Sequence, residues 1–175
     1  MRKLLFLLLI FFLSACHPGA QKERSGVLQY FDLKDYIAEE SKRLKGLNPY
    51  IDKYVEVNKS SEHKKLKIAD WQKELSVFTD ADINKSAWQG LFQLKESGDW
   101  KTYLSDNDKV PVKSLTIQYK NGKIYGLRIL ISTVNSLYTS NDTLSYFPDS
   151  LYEVKKTQHI KLLNEKKYHI TGKFN

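Results

Sequence analysis

The chain has 175 residues, a length typical of one domain, and its single cysteine excludes an intramolecular disulfide. A chain of this length can bury enough surface for a core without staples, and eleven tyrosines predict that this core is rich in aromatic rings. The net charge of +8 favours contact with anionic surfaces. Acidic residues are interspersed along the chain, however, which favours the simpler interpretation that the lysines keep the domain soluble.

The N-terminus has the pattern of an export signal. Arg2 and Lys3 precede an unbroken apolar run over residues 4–13, which is about half of the roughly 20 residues that a spanning helix needs. Small residues follow the run, as they do before a cleavage site. The last four residues of this pattern are Leu13-Ser14-Ala15-Cys16.

These four residues resemble the lipobox of bacterial lipoproteins. The resemblance implies transfer of diacylglycerol to the Cys16 sulfur, cleavage before Cys16 and acylation of the new N-terminus by a fatty acid such as palmitate. An aspartate after the lipidated cysteine favours retention in the inner membrane in such lipoproteins, and its absence here, where the residue is His17, favours the outer membrane. We therefore expect a lipid-anchored protein of the cell envelope whose first partner is the bilayer itself.

The resemblance, the composition and the length together divide the chain into three predicted parts. Residues 1–15 are a signal peptide, residues 16–26 are a lipidated tether rich in proline, glycine and charge, and residues 27–175 are a single folded domain. Removal of Arg2 and Lys3 lowers the net charge to +6.

The clearest helix is predicted over residues 32–45. Asp32 is a favourable N-cap, and Asp35 complements the positive end of the helix dipole. Gly46 is predicted to cap the C-terminus, and Pro49 prevents the helix from continuing.

A second helix begins after Asp70, which is again a favourable N-cap. Trp71, Leu75 and Phe78 follow at positions i, i+4 and i+7, which places them on one face. The stripe predicts a face packed in the core. The alternative is that Trp71 and Phe78, together with Trp88 of a short third helix, line a cavity for an apolar ligand.

Asp80, Asp82 and Asn84 have the spacing that opens a calcium-binding loop. The sixth position of such a loop should be glycine and is Lys85, and the twelfth should be glutamate and is Leu91. The sequence therefore predicts no metal site.

The remaining segments have the alternation of strands. Two strands are predicted at residues 54–58 and 63–68, and from residue 91 the apolar period is two. Turns are predicted at residues 59–61, 97–99, 140–142, 148–150 and 164–166.

Asn121-Gly122 predicts a hairpin between strands 112–120 and 123–131. A two-residue loop would place the apolar residues of the two strands on opposite faces. We therefore predict a three-residue loop with Gly122 at positive φ in a bulge, pairing Ile117 with Tyr125.

Together these elements predict an α+β fold, in which N-terminal helices pack on one face of a curved antiparallel β-meander of about six to eight strands.

No motif for nucleophilic, metal or phosphate chemistry is present. The four histidines form no His-x-x-x-His pair, and neither Gly-x-Ser-x-Gly nor Ser-x-x-Lys occurs. We expect a non-enzymatic envelope lipoprotein with no cofactor and no catalytic residue, which binds a partner protein or an anionic envelope surface and no nucleic acid. The alternative is a periplasmic carrier of an apolar ligand or lipid, held between sheet and helices.

Overall fold

The computed structural model describes residues 28–175. The predictions for the signal peptide, Cys16 and the tether lie outside the described residues. The helices are α1 (Leu33–Leu47), α2 (Trp71–Glu74) and α3 (Ser76–Asp80), followed by a 3₁₀ turn, Ser86–Trp88. The strands are β1 (Tyr50–Val57), β2 (Ser60–Lys67), β3 (Gln93–Ser97), β4 (Trp100–Leu104), β5 (Val112–Lys120), β6 (Lys123–Val134), β7 (Tyr138–Phe147), β8 (Leu151–Ile160) and β9 (Lys166–Phe174).

The nine strands within residues 28–175 belong to one antiparallel sheet with the order β2-β1-β9-β8-β7-β6-β5-β4-β3. The predicted antiparallel sheet is confirmed, but the count of six to eight strands is too low. The hairpin β1–β2 joins the C-terminal strand β9, with Val55 opposite Ile170. This long-range pairing adds two strands to the meander β3–β9, and no local pattern in the sequence indicates it.

Helix α1 begins as predicted, because the Asp32 carboxylate accepts a hydrogen bond from the Asp35 amide at 2.9 Å. It ends two residues later than predicted. The C-cap is Asn48, at φ 46°, and not Gly46. Asparagine tolerates the left-handed conformation better than most residues, so Asn48 can end the helix immediately before Pro49.

The second predicted helix is present but divided. Asp70 caps α2 by accepting from the Lys73 amide at 3.0 Å, and α3 follows after a break at Leu75. Trp71, Leu75 and Phe78 are all buried, as their spacing predicts. The third predicted helix is only the 3₁₀ turn.

The β5–β6 turn differs from the prediction. Tyr119 lies opposite Ile124, so the loop contains only Asn121 and Gly122, with φ of 52° and 73°. The positive φ of Gly122 is confirmed, and the three-residue loop is wrong. Both central residues at positive φ are typical of a type I′ turn, whose twist matches that of the two strands.

A two-residue loop alone would place the apolar residues of β5 and β6 on opposite faces of the sheet. A bulge in β6 corrects this. Between the pairs Tyr119–Ile124 and Gln118–Gly126, β6 carries one extra residue, Tyr125. As a result Ile117 lies opposite Leu127, not opposite Tyr125 as predicted. The apolar residues of both strands therefore reach the same face, and exposed Tyr125 does not share it.

The turn predicted at residues 140–142 is also wrong, because these residues lie inside β7. The turn before β7 is formed by Asn135, whose side-chain oxygen accepts from the amides of Leu137 and Tyr138 at 2.9 Å each. An asparagine side chain can mimic a backbone turn in this way. The polar residues of β7 instead pair with β8, where Asp142 forms an ion pair with Lys156 at 3.3 Å.

The two faces of the sheet differ in composition. The Tyr146 face is the face that carries the buried apolar residues of the strands, and its members at the centre are Leu115, Ile117, Leu127, Ile129, Leu144, Tyr146 and Tyr152. Residues of the helices meet it, since Tyr36 and Phe78 contact the Tyr146 ring with centroids at 6.3 and 6.0 Å. The opposite face, here the Trp100 face, is dominated by polar side chains.

Candidate functional site

Two buried tyrosines on the Tyr146 face each donate a hydrogen bond to a glutamate of a helix. The Tyr146 hydroxyl donates to Glu40 at 2.6 Å, and Glu40 also accepts two hydrogen bonds from Arg43, at 2.8 and 2.9 Å. Burial, and then the hydrogen bond to Glu40, raise the pKa of Tyr146 far above its ordinary value. A phenol held in its neutral form next to an already paired carboxylate has a structural role.

The second tyrosine repeats this arrangement. Tyr152 donates to Glu74 at 2.5 Å, and the Lys53 ammonium contacts both oxygens of Glu74, at 2.6 and 2.8 Å. Burial, followed by the same kind of hydrogen bond, raises the pKa of Tyr152. The two triads connect α1 and α2 to neighbouring strands.

The three residues predicted as alternative cavity lining occupy different environments. Trp71 is buried, and its ring contacts Phe174 with centroids at 5.8 Å. Phe78 is buried against Tyr146. Trp88 is half-buried, with the Lys85 ammonium 4.4 Å from its ring centroid. The structure therefore brings Trp71 and Phe78 into one apolar cluster and leaves Trp88 at the edge of that cluster.

An open groove of about 1190 Å³ lies between α1 and the segment of residues 79–89. None of Trp71, Phe78 and Trp88 lines it, and most of its lining side chains are polar. One of them, Asn84, already accepts from the Tyr30 amide at 3.0 Å and donates to the Phe31 carbonyl at 2.9 Å. The groove therefore includes side chains that are already engaged in holding residues 30–31 in place.

A polar cluster on the Trp100 face contains a histidine, a carboxylate and a hydroxyl. His169 Nε2 lies 2.8 Å from Glu153 and 3.1 Å from the Thr171 hydroxyl. A nucleophilic triad uses one ring nitrogen for the acid and the other for the nucleophile. Because a single nitrogen makes both contacts here, the cluster lacks the geometry needed to activate Thr171.

The charge of Glu153 is stabilised by its neighbours. Burial alone would raise the pKa of this carboxyl, but hydrogen bonds from Lys155 and His169 outweigh burial and hold the pKa below its ordinary value. Lys155 contacts Glu153 at 2.9 Å. The cluster joins a Lys155–Glu153 ion pair on β8 to a hydrogen bond between Glu153 and His169 of β9.

Within residues 28–175, no three His, Cys, Asp or Glu side chains come together closely enough to hold a metal ion. Asp82, from the partial calcium pattern, accepts a hydrogen bond from the Asn84 amide at 3.1 Å.

A small hollow lies on the other half of the Trp100 face, and it is the candidate site. It has a volume of about 190 Å³ and spans four adjacent strands, β4 to β7. Trp100 lies opposite Gln118, and Gln118 lies opposite Gly126. The ring of Phe147 lies directly over Gly126, where a Cβ atom would overlap it. The hollow therefore has a tryptophan at one end and a phenylalanine at the other.

Polar side chains complete the lining. Thr116 and Arg128 lie opposite each other on β5 and β6, one row further along the same face. The Thr116 hydroxyl contacts that of Thr102 at 3.3 Å. Among the described residues, neither Gln118 nor Arg128 forms a side-chain hydrogen bond, and Arg128 forms no ion pair.

The local charge is positive. On the Trp100 face from β3 to β7, the charged strand residues are Lys95, Lys120, Lys123 and Arg128, and all are cationic. The hollow therefore combines two aromatic rings, an amide, a hydroxyl and a guanidinium. The carboxylate in the same row as Arg128, that of Glu153 on β8, is already paired with Lys155 and His169.

No motif in the sequence singles out these residues. Trp100 begins a short strand and Phe147 ends one, and they lie 47 positions apart in the sequence. The signal that could have found them is that Trp100 falls on the polar face of its strand when apolar and polar residues alternate, because a tryptophan on such a face is unusual. The register that brings Gly126 beneath Phe147 depends on the bulge at Tyr125, and the alternation of residues in the sequence does not predict a bulge there.

The helices within the described part of the chain are too short or too polar to cross a membrane. Comparison with protein-family models, with curated proteins and with solved structures gives no match to this chain.

Proposed function

We propose that this protein is a lipoprotein of the bacterial cell envelope, anchored to a membrane, the outer membrane by preference, through acyl chains on Cys16. The observation that carries the proposal is the position of the only cysteine, directly after Leu13, Ser14 and Ala15 and at the end of a short apolar run. One acyl chain binds a membrane only marginally, and each buried methylene adds about 0.8 kcal/mol. Two or three chains on one residue would make the attachment lasting.

We propose a non-catalytic binding role for the anchored domain. The shared nitrogen in the His169 cluster and the paired carboxylates of Glu40 and Glu74 support this role, because none of these groups is available as a base for a nearby nucleophile. The burial of Trp71 and Phe78 in one apolar cluster supports binding at the surface over carriage of a lipid between helices and sheet.

We also propose that α1, α2 and α3 form a layer on the Tyr146 face of a curved sheet. The contacts of Tyr36 and Phe78 with Tyr146, and of Trp71 with Phe174, support this arrangement. The Trp100 face would then be the face that remains available for a partner.

Labelling and fractionation test the anchor. The full chain is expressed with its leader in a bacterial host that is fed labelled palmitate, and the envelope is separated into membrane and soluble fractions. We expect the chain to carry label and to sediment with the membranes. The Cys16→Ser variant should lose both properties, and a variant that still sediments would overturn the proposal.

A matched control keeps one cysteine but moves it. The double variant Cys16→Ser, Ser25→Cys has a thiol in the predicted tether and outside the pattern. We expect it to remain unlabelled, which would attribute the label to the position of Cys16. Native mass spectrometry of the full chain in neutral detergent tests the binding role, since a stoichiometric apolar ligand that co-purifies would favour the carrier.

A further inference from the structure

We propose that the hollow between Trp100 and Phe147 binds one ring of an acidic saccharide. The inference rests on the proposed binding role and names the chemistry of the ligand. The saccharide site is formed by strands β4 to β7 alone, so its test does not depend on whether Cys16 carries acyl chains.

The size of the hollow limits the ligand. Pockets for drug-sized ligands have volumes of about 300 to 1,000 Å³. At about 190 Å³, the hollow is suited to a single ring, with the rest of a chain lying outside it.

The two aromatic side chains provide apolar walls in fixed positions. Trp100 is 46% exposed, which leaves much of its ring free to contact a ligand. The Phe147 ring is held in place by Gly126 beneath it and by Tyr125, whose ring is 6.2 Å away in an edge-on contact. The negative face of an aromatic ring attracts the weakly positive C–H groups of a sugar, and a rigid ring loses little entropy on binding.

The polar groups are those that recognise hydroxyls and a carboxylate. A glutamine side chain offers two donors and an acceptor, and Gln118 uses none of them within residues 28–175. Thr116 adds a hydroxyl. Arg128 has a planar fork of donors that matches a carboxylate. The acid in its row of this face, Glu153 on β8, is paired with Lys155 at 2.9 Å and with His169 at 2.8 Å.

These features favour a charged sugar over the other anionic ligands of an envelope. A phospholipid headgroup would use Arg128 but would leave the two rings without a contact. An aromatic side chain of a partner protein would use the rings but would leave Gln118 and Arg128 unpaired in the interface, which costs binding energy. An acidic saccharide uses all of them together.

Calorimetric titration of the full chain in neutral detergent tests the proposal. The probes are tetragalacturonate, neutral maltotetraose and glycerol 3-phosphate, the last as a soluble phospholipid headgroup. We expect tetragalacturonate to bind at least about tenfold more tightly than either of the other two, a difference of about 1.4 kcal/mol. No binding of tetragalacturonate, or equal binding of maltotetraose or glycerol 3-phosphate, would overturn the proposal.

Three variants assign the binding to the hollow. Trp100→Ala should weaken the binding of tetragalacturonate by about tenfold or more, as should Arg128→Gln. Lys95→Gln is the matched control, because it removes one positive charge from the same face but outside the hollow. Equal losses in Arg128→Gln and Lys95→Gln would indicate attraction by the whole face and would overturn the site.

The outcomes separate this proposal from the anchor. If Trp100→Ala fails to fold, as judged by its circular dichroism, the comparison of Arg128→Gln with Lys95→Gln still decides. A chain that binds tetragalacturonate without palmitate label contradicts only the anchor. A labelled chain that does not bind tetragalacturonate contradicts only the saccharide site.

Discussion

The substitution Tyr146→Phe tests whether the buried tyrosine triads hold the helices in place. It removes the hydroxyl that donates to Glu40 at 2.6 Å and leaves the fully buried ring in position. A hydrogen bond to a charged group contributes about 1.5 to 3 kcal/mol to stability. Because Arg43 continues to pair with Glu40, the carboxylate is not left alone, and we expect the lower half of this range, about 1.5 to 2 kcal/mol.

Tyr36→Phe is a matched control, because it removes the same atom from a neighbouring ring. The Tyr36 hydroxyl is buried without a hydrogen-bond partner among residues 28–175, and its ring centroid lies 6.3 Å from that of Tyr146. Removing an unsatisfied buried group relieves a desolvation penalty. We therefore expect Tyr36→Phe to leave the free energy of unfolding unchanged or to raise it by about 1 kcal/mol.

Equilibrium urea unfolding followed by tryptophan fluorescence measures both variants. For a chain of this size, a loss of 1 kcal/mol lowers the melting temperature by about 2 to 4 °C, so thermal unfolding gives a second measure. The reasoning is refuted if Tyr146→Phe destabilises the protein no more than Tyr36→Phe does. In that case the hydroxyl of Tyr146 would contribute nothing beyond the volume of its ring.

Two further predictions concern the effect of pH on stability and the effect of replacing two glycines. The raised pKa values of Tyr146 and Tyr152 mean that the folded protein holds these protons more tightly than the unfolded chain does. Stability should therefore be unaffected by these groups below about pH 10 and should fall as the pH rises further. The double variant Tyr146→Phe, Tyr152→Phe should flatten the fall in the urea midpoint between about pH 9 and pH 11, and an equally steep fall would contradict this cause. Gly122→Ala, at φ 73°, should cost about 1 to 2 kcal/mol. Gly46→Ala, in α1 with open space around its Cβ position, should instead gain about 0.5 to 1 kcal/mol; similar effects from the two substitutions would argue against the backbone explanation.

Local chemistry made the helix starts predictable. Asp32 and Asp70 each cap a helix with a side chain that reaches only three residues along the chain, so the sequence contains all the information needed. The burial of Trp71 and Phe78 followed in the same way from their spacing. The pairing of Val55 with Ile170 did not, because it depends on the position of the last strand beside the first hairpin.

The β5–β6 hairpin shows why the candidate site escaped prediction. The alternation of apolar residues indicated correctly that the two strands must share a face, but two solutions satisfy that requirement, a longer loop or a bulge after a short one. The chain uses the bulge. Tyr125 is the extra residue, and the shift that it produces places Gly126 opposite Gln118.

The bulge therefore has two consequences that cannot be separated. It returns Leu127 and Ile129 to the buried face, and on the other face it puts the strand's only glycine beside Phe147. A side chain at that position would displace the ring and fill the hollow. Bulges often occur next to binding sites, where they change the direction of neighbouring side chains. If the core alone required the bulge, any residue of suitable size could follow Tyr125; the glycine found there is explained by the Phe147 ring, which forms one wall of the proposed saccharide site.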